Sequence, residues 1–277
     1  MSATTNPIYF IHIPKTGGTS LQTALKQINE QLNATRYIKV GQQNHFDWSY
    51  LTSSIQQHDL NKIHIVTFLR NPIDRSVSQF HYAKELAWVK KLVRKRKAPH
   101  FYHQTYDEYV SYPNKTWLQP LADGEGGVEF LAGTFATDSD WVTTDGIESE
   151  EKLYLRRNKT AQCLLAAHNL DQTGWFGLLE EKDRSMKLLS ISLNLTNVPE
   201  LPQKNPTGRK RLIGGKRHGM PKRKNPSNET LLQVKKYLPQ DLWFYEYAKL
   251  LFEARWKHAN GGIYIHPELP PLPDFSG

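Results

Sequence analysis

The sequence predicts an α/β fold, with a central, mostly parallel sheet flanked by helices in three layers. Two observations predict it. Short apolar, strand-forming runs recur at residues 8–13, 62–69 and 172–180, and a helical period follows each after a brief loop. The chain is also long enough, at 277 residues, for one large domain with a full core.

Residues 8–25, IYFIHIPKTGGTSLQTAL, read as a strand, a tight loop and the opening of a helix. Residues 9–13 favour a strand, and Pro14 ends it because proline has no N–H for a sheet ladder. Gly17 and Gly18 let the backbone turn sharply and approach a ligand closely. Thr19 and Ser20 are good N-cap types, and Leu21, Ala24, Leu25 and Ile28 recur behind them at helical spacing. Such a loop presents N–H groups at the positive end of a helix dipole, which suits an anion. Lys15 adds a mobile charge, and the hydroxyls of Thr16, Thr19 and Ser20 add donors. The chemistry is a grip on a phosphate or phosphosulfate. The string is not a Walker A loop, because Lys15 precedes both glycines. A plain strand-to-helix turn is the alternative for an isolated pair of glycines; K-T-G-G-T-S directly after an apolar strand favours the anion loop.

The totals narrow the class. Hydrophobic residues make up 38% and aromatics 11%, a folded rather than disordered composition. The net charge of +9 favours polyanionic or multiply phosphorylated partners without choosing among them. Cys163 is the single cysteine, so no intramolecular disulfide and no cysteine-based zinc site is expected. Residues 1–7 are polar and no run is long enough to span a membrane. With the lone cysteine this gives a cytoplasmic expectation. Five N-x-[ST] sequons, at Asn33, Asn114, Asn158, Asn194 and Asn228, pull the other way but arise by chance in so Asn-, Ser- and Thr-rich a chain.

Along the chain, residues 36–40 suggest a second strand, leading into QQNHFDWSYL. A polar segment past a strand end is where α/β folds place working residues, and His45 lies in it. A lone histidine is more often structural or merely exposed. Residues 62–69 form the next strong strand and run into Arg70-Asn71-Pro72, with Asn71 or Asp74 capping the helix that follows. Arg70 at a strand end beside an anion loop would bring a guanidinium to a second phosphate; a surface ion pair is the plainer reading. Lys90 to Lys97, KKLVRKRK, is either a solvated face or the lining of a groove for an anionic polymer. Residues 113–147 read as a loop-rich insertion. Residues 148–170 read as one long amphipathic helix with Cys163 buried in it. Glu180, ending the third strand, is either a polar site residue or a helix-start carboxylate. Residues 198–225 lack a hydrophobic period and carry many cations, which predicts a flexible basic loop. An amphipathic terminal helix follows, then an extended tail over 257–277. No linker divides the chain, so a single domain over 1–277 is expected, its core at about 8–256.

Three segments, HIPKTGGTS, HFDWSYL and VTFLRNPIDRSVSQFHYA, together resemble carbohydrate sulfotransferases of the family-2 type, above all the heparan sulfate 6-O-sulfotransferases. WFGLLE and QDLWFYEYAKLLF match that group in position and character. The resemblance implies a P-loop-like three-layer fold and a metal-independent, PAPS-dependent enzyme, with 3′-phosphoadenosine 5′-phosphosulfate (PAPS) as sulfuryl donor. Lys15, Thr16, Gly17, Gly18, Thr19 and Ser20 would hold the phosphosulfate. Arg70 and Ser78 would hold the 3′-phosphate. His45 would be the general base toward an acceptor hydroxyl on an oligo- or polysaccharide, and Lys15 would stabilise the charge developing on the leaving phosphate. Nucleic acid is not the expected partner. The animal enzymes carry a membrane anchor and several cysteines, which this chain does not match. Residues 90–147 and 204–224 match nothing in the group and are where acceptor specificity would lie; residues 205–211 suggest a lid over the nucleotide. Two readings from other classes compete. A P-loop-type kinase or NTPase needs a Walker lysine and an acidic strand end, yet the second strong strand ends in Arg70. A non-catalytic polyanion-binding protein would use the basic runs alone.

Overall fold

A computed structural model describes residues 7–31, 39–40, 48, 51, 62–94, 104–111, 127–132, 150–202, 211–213, 216–218 and 224–275. Its centre is a sheet of β1 (Ile8–Ile11), β2 (Lys39–Val40), β3 (His64–Leu69) and β4 (Trp175–Leu178). The strands run parallel in the order β2-β1-β3-β4. All four residues of β1 and of β4 are buried. Neighbouring residues on a strand point to opposite faces, so this pattern requires the sheet to be covered on both sides. The predicted α/β fold, a parallel sheet flanked by helices, is what the chain adopts.

The helices are α1 (Gly18–Gln31), α2 (Pro72–Arg94), α3 (Tyr106–Ser111), α4 (Gly127–Ala132), α5 (Glu150–Arg157), α6 (Lys159–Asp171), α7 (Lys182–Ser192), α8 (Asn228–Lys235) and α9 (Pro239–Ala259). α1 buries Leu21, Ala24, Leu25 and Ile28, the residues whose spacing marked its inner face. Asn71 caps α2: its side-chain oxygen accepts from the Ile73 N–H at 3.0 Å, its carbonyl accepts from the Arg75 N–H at 2.9 Å, and Pro72 opens the helix. α7 is tied to the end of β4 by Ser185, whose hydroxyl accepts from the Leu178 N–H at 2.9 Å and donates to the Leu178 carbonyl at 3.0 Å. α9 contributes Trp243, Phe244, Tyr247, Leu251 and Phe252 to the main core. A second cluster joins α2, α3 and α8 through Phe80, Tyr106, Tyr109, Val110 and Val234.

Several elements differ from their sequence reading. Where the sequence reads as one helix over 148–170, two are found, α5 and α6, at 150–157 and 159–171. Asn158 stands between them and its side-chain oxygen accepts from the Ala161 N–H at 2.9 Å, so it starts a new helix. Within the segment read as an insertion, α4 is a core element. Val128 and Leu131 are fully buried, and the Asn169 amide donates to the Leu131 carbonyl at 2.6 Å. Within the basic segment, β5 (Arg211–Ile213) and β6 (Lys216–His218) pair antiparallel. Leu212 and Ile213 favour strands, and only Gly214-Gly215 separates the two, a hairpin spacing. The described tail residues, 260–275, have no regular structure but are fastened: the Trp243 indole donates to the Pro270 carbonyl at 2.9 Å, and the His266 ring lies 3.2 Å from Asp171. Cys163 is buried, as a small apolar residue would be. No helix among the described residues is long and apolar enough to cross a membrane.

Candidate functional site

The strand order creates the site. From β1 the chain moves outward to β2, then returns to the other side of β1 as β3. The connections leaving the C-terminal ends of β1 and β3 therefore part in opposite directions and leave a crevice between them, the usual ligand position in a parallel α/β sheet. The loop after β1 carries Lys15 and the glycines, and the residue after β3 is Arg70. The Arg70 guanidinium crosses the crevice and donates from Nη1 to the Lys15 carbonyl at 3.3 Å.

The loop itself is tightly determined. Lys15 has φ of 64° and Gly17 has φ of 89°. A left-handed backbone costs a non-glycine residue about 1–2 kcal/mol, so Lys15 holds a conformation that glycine would adopt more easily. Thr16 is buried, and its hydroxyl donates to the Ile13 carbonyl at 2.8 Å, closing the turn. Thr16 thus serves the loop through that inward bond. Gly17, rather than Thr19 or Ser20, caps α1, because its carbonyl accepts from the N–H groups of Ser20 at 2.9 Å and Leu21 at 3.1 Å. The amides of Gly18 and Thr19 come before the first acceptor inside the helix and head its positive end. Gly18 has no room for a side chain: a Cβ there would lie 1.9 Å from His12 Cδ2. Gly17 is covered by Leu179, whose Cδ1 would stand 2.9 Å from a Cβ. Thr19 is exposed and Ser20 half-buried at the start of α1.

α2 forms another wall. Ser78 is half-buried on it, and Tyr82 follows one turn later. The Lys15 ammonium lies over the Tyr82 ring, 4.1 Å from its centroid. The structure therefore brings Lys15 to Arg70 through its carbonyl and to Tyr82 of α2 through its ammonium; Ser78 takes part in neither contact. His45 lies outside the described residues.

Other side chains build the surroundings. Glu180, left open between two roles, is a cross-brace: Oε1 accepts from the Asn71 N–H at 2.9 Å and Oε2 from the Tyr245 hydroxyl at 2.6 Å. Burial, then the Glu180 carboxylate, pushes the Tyr245 phenol well above its ordinary pKa, so it remains a donor. Arg75 and Asp241 form a buried ion pair at 3.0 Å, and Asp241 Oδ1 also accepts from the Val128 N–H at 3.1 Å. With Thr16, Arg70, Pro72 and Tyr245 this pair lines a recess beside the crevice. Among the described residues no group of three or more His, Cys, Asp or Glu side chains is placed to hold a metal ion.

A family model described as "Sulfotransferase family" matches residues 1–248. The chain belongs to the sulfotransferase family. No curated protein matches it. A sulfotransferase moves a sulfuryl group and so requires a sulfonate donor and an acceptor. A donor with anionic ends fits what this sulfotransferase offers at the switch point: a helix N-terminus, a lysine and an arginine within one crevice. Sequence reading did not reach Tyr82, Tyr245, Arg75 or Asp241. Tyr82 had a signal in its spacing, one helical turn beyond Ser78. Arg75 and Asp241 had none, because 166 positions separate them.

Proposed function

We propose that this sulfotransferase takes its sulfuryl group from PAPS and places it on a hydroxyl of an oligo- or polysaccharide. The observation that carries the reading is the Arg70 bond to the Lys15 carbonyl, which sets a second cation against the glycine loop at the switch point. The donor supplies an activated sulfuryl group on a phosphate that gains charge as it leaves. The amides of Gly18 and Thr19, with Lys15, would meet that charge where it develops. Thr16, Gly17 and Ser20 complete the loop around the phosphosulfate. Arg70 and Ser78 would hold the 3′-phosphate and so separate this donor from AMP and ATP. His45, in the HFDWSYL segment, would remove the proton of the acceptor hydroxyl, a task suited to an imidazole near neutral pH. The protein's own cations would take the part that metal ions play in phosphoryl transfer. The saccharide acceptor rests on the motif resemblance and on the cationic segments at 90–97 and 204–224.

Calorimetric titration with adenosine 3′,5′-bisphosphate tests this, with AMP and ATP–Mg²⁺ as controls. Selective binding of the bisphosphate, sharply weakened in Lys15→Ala and Arg70→Ala, is the expected result. His45→Ala should bind the bisphosphate normally and lose sulfuryl transfer. Preference for ATP–Mg²⁺ would replace the reading with a kinase. Salt-sensitive polyanion binding without any nucleotide binding would reduce the protein to a polyanion binder.

A further inference from the structure

Lys15 carries its charge at a strained position and points it at an aromatic ring. Its backbone lies at φ of 64°, and its ammonium sits 4.1 Å from the centroid of Tyr82. Side chains on a helix lean toward the helix N-terminus, so a ring at position 82 covers the turn that holds Ser78. Lys15, whose ammonium meets this ring, is also the residue whose carbonyl takes the Arg70 guanidinium across the crevice. Tyr82 is 37% exposed, so the lysine meets its ring at the protein surface.

A ring face attracts a cation without neutralising it. A carboxylate in the same place would compete with an incoming anion for the lysine, whereas a ring limits where the ammonium can wander and adds no opposing charge. The attraction is also weak enough at an exposed site for a multiply charged ligand to draw the ammonium onward. We propose that Tyr82 is a positioning residue for Lys15: its ring holds the lysine ammonium at the mouth of the glycine loop, between the phosphosulfate grip and the Ser78 face of α2. The inference rests on this crevice being the donor site. Its geometric half, the placement of Lys15 by the ring, stands on the contact alone.

The test reads the two halves separately. Reductive methylation with ¹³C-formaldehyde keeps lysine charged and labels it for NMR, and Lys15→Arg identifies the Lys15 resonance. In nucleotide-free protein that resonance should be displaced upfield by the ring, keep the displacement in Tyr82→Phe, and lose it in Tyr82→Leu. Thermal melts confirm that the variants fold, as an exposed helix position allows. Adenosine 3′,5′-bisphosphate should then bind roughly two- to fivefold more weakly to Tyr82→Leu than to wild type, and equally to wild type and Tyr82→Phe. Lys15→Ala and the double variant Lys15→Ala/Tyr82→Leu should bind alike, because the ring acts through the lysine. A Lys15 resonance indifferent to Tyr82→Leu overturns the proposal. So does a Tyr82→Leu penalty as large in the Lys15→Ala background as in wild type. Wild type that ignores the bisphosphate, while the resonance behaves as expected, refutes the donor reading and leaves the positioning contact established.

Discussion

Replacing Asp241 with alanine should be among the most damaging single changes available away from the glycine loop. Asp241 lies in the first turn of α9, and its side chain is 9% exposed; the Arg75 side chain that meets it from α2 is 4% exposed. One carboxylate oxygen takes the guanidinium at 3.0 Å and the other takes the Val128 N–H at 3.1 Å. The carboxylate thus ties three helices, α2, α4 and α9, at one point. Alanine removes the counter-charge of a buried guanidinium and the acceptor of a buried amide together. Loss of one partner of a buried pair costs about 3–5 kcal/mol, and an orphaned buried amide costs about 1–3 kcal/mol. That is a large part of the roughly 5–15 kcal/mol that holds a domain folded. Denaturant unfolding, followed by fluorescence of the seven tryptophans, measures it, provided the slope is unchanged. Asp241→Asn keeps an acceptor for Val128 and should cost less than Asp241→Ala. The double variant Arg75→Met/Asp241→Leu, with no charge left to strand, should be more stable than Asp241→Ala alone. A cost below about 1 kcal/mol for Asp241→Ala, or a double variant worse than the single one, would refute the reasoning.

Three further outcomes are expected. Gly18→Ala drives a methyl into the His12 ring, which is itself stacked on Phe10 at 5.3 Å; overpacking of about 1–3 kcal/mol should appear in melts, and His12→Ala in the same chain should return part of it. Burial pushes the Cys163 thiol up to about 12, so a thiol reagent at pH 8 should label it at the rate of unfolding rather than at the rate of a free thiol. Burial also raises the phenols of Tyr106 and Tyr109 to about 12 from an ordinary value of 10.0. The unfolded chain then releases these protons first, so their contribution to stability is complete below pH 10 and is lost as pH rises from about 10 to about 12. Denaturation midpoints at pH 9 and pH 11 measure the fall, which Tyr109→Phe should blunt.

The parallel core was legible in the sequence because fully buried strands are written as apolar runs. Residues 8–13, 62–69 and 172–180 could be read by eye, and the glycine loop announced itself by following one of them. What was lost shares a cause, dependence on distant residues. Residues 127–132 look like loop until Asp241 and Asn169 supply their partners. Asn158 reads as an ordinary polar helix residue until its cap to the Ala161 N–H is seen. Gly17 is the cap of α1 because Thr16 bends inward to the Ile13 carbonyl, a choice that N-cap preferences at Thr19 and Ser20 do not reveal. At the crevice, Lys15 and Arg70 were legible by residue type and position. Their meeting through a backbone carbonyl, and the ring that takes the lysine ammonium, were matters of three-dimensional placement.

The cover that Leu179 lays over Gly17 has a meaning for synthesis. The side chain that roofs the loop leaves a ribosome about 160 residues after it, roughly 10–30 s at ordinary elongation rates. Throughout that interval the nascent loop lacks both its roof and β4, the strand that completes the sheet beside β3. A stalled or truncated chain ending before residue 175 would therefore carry the signature motif without a finished crevice.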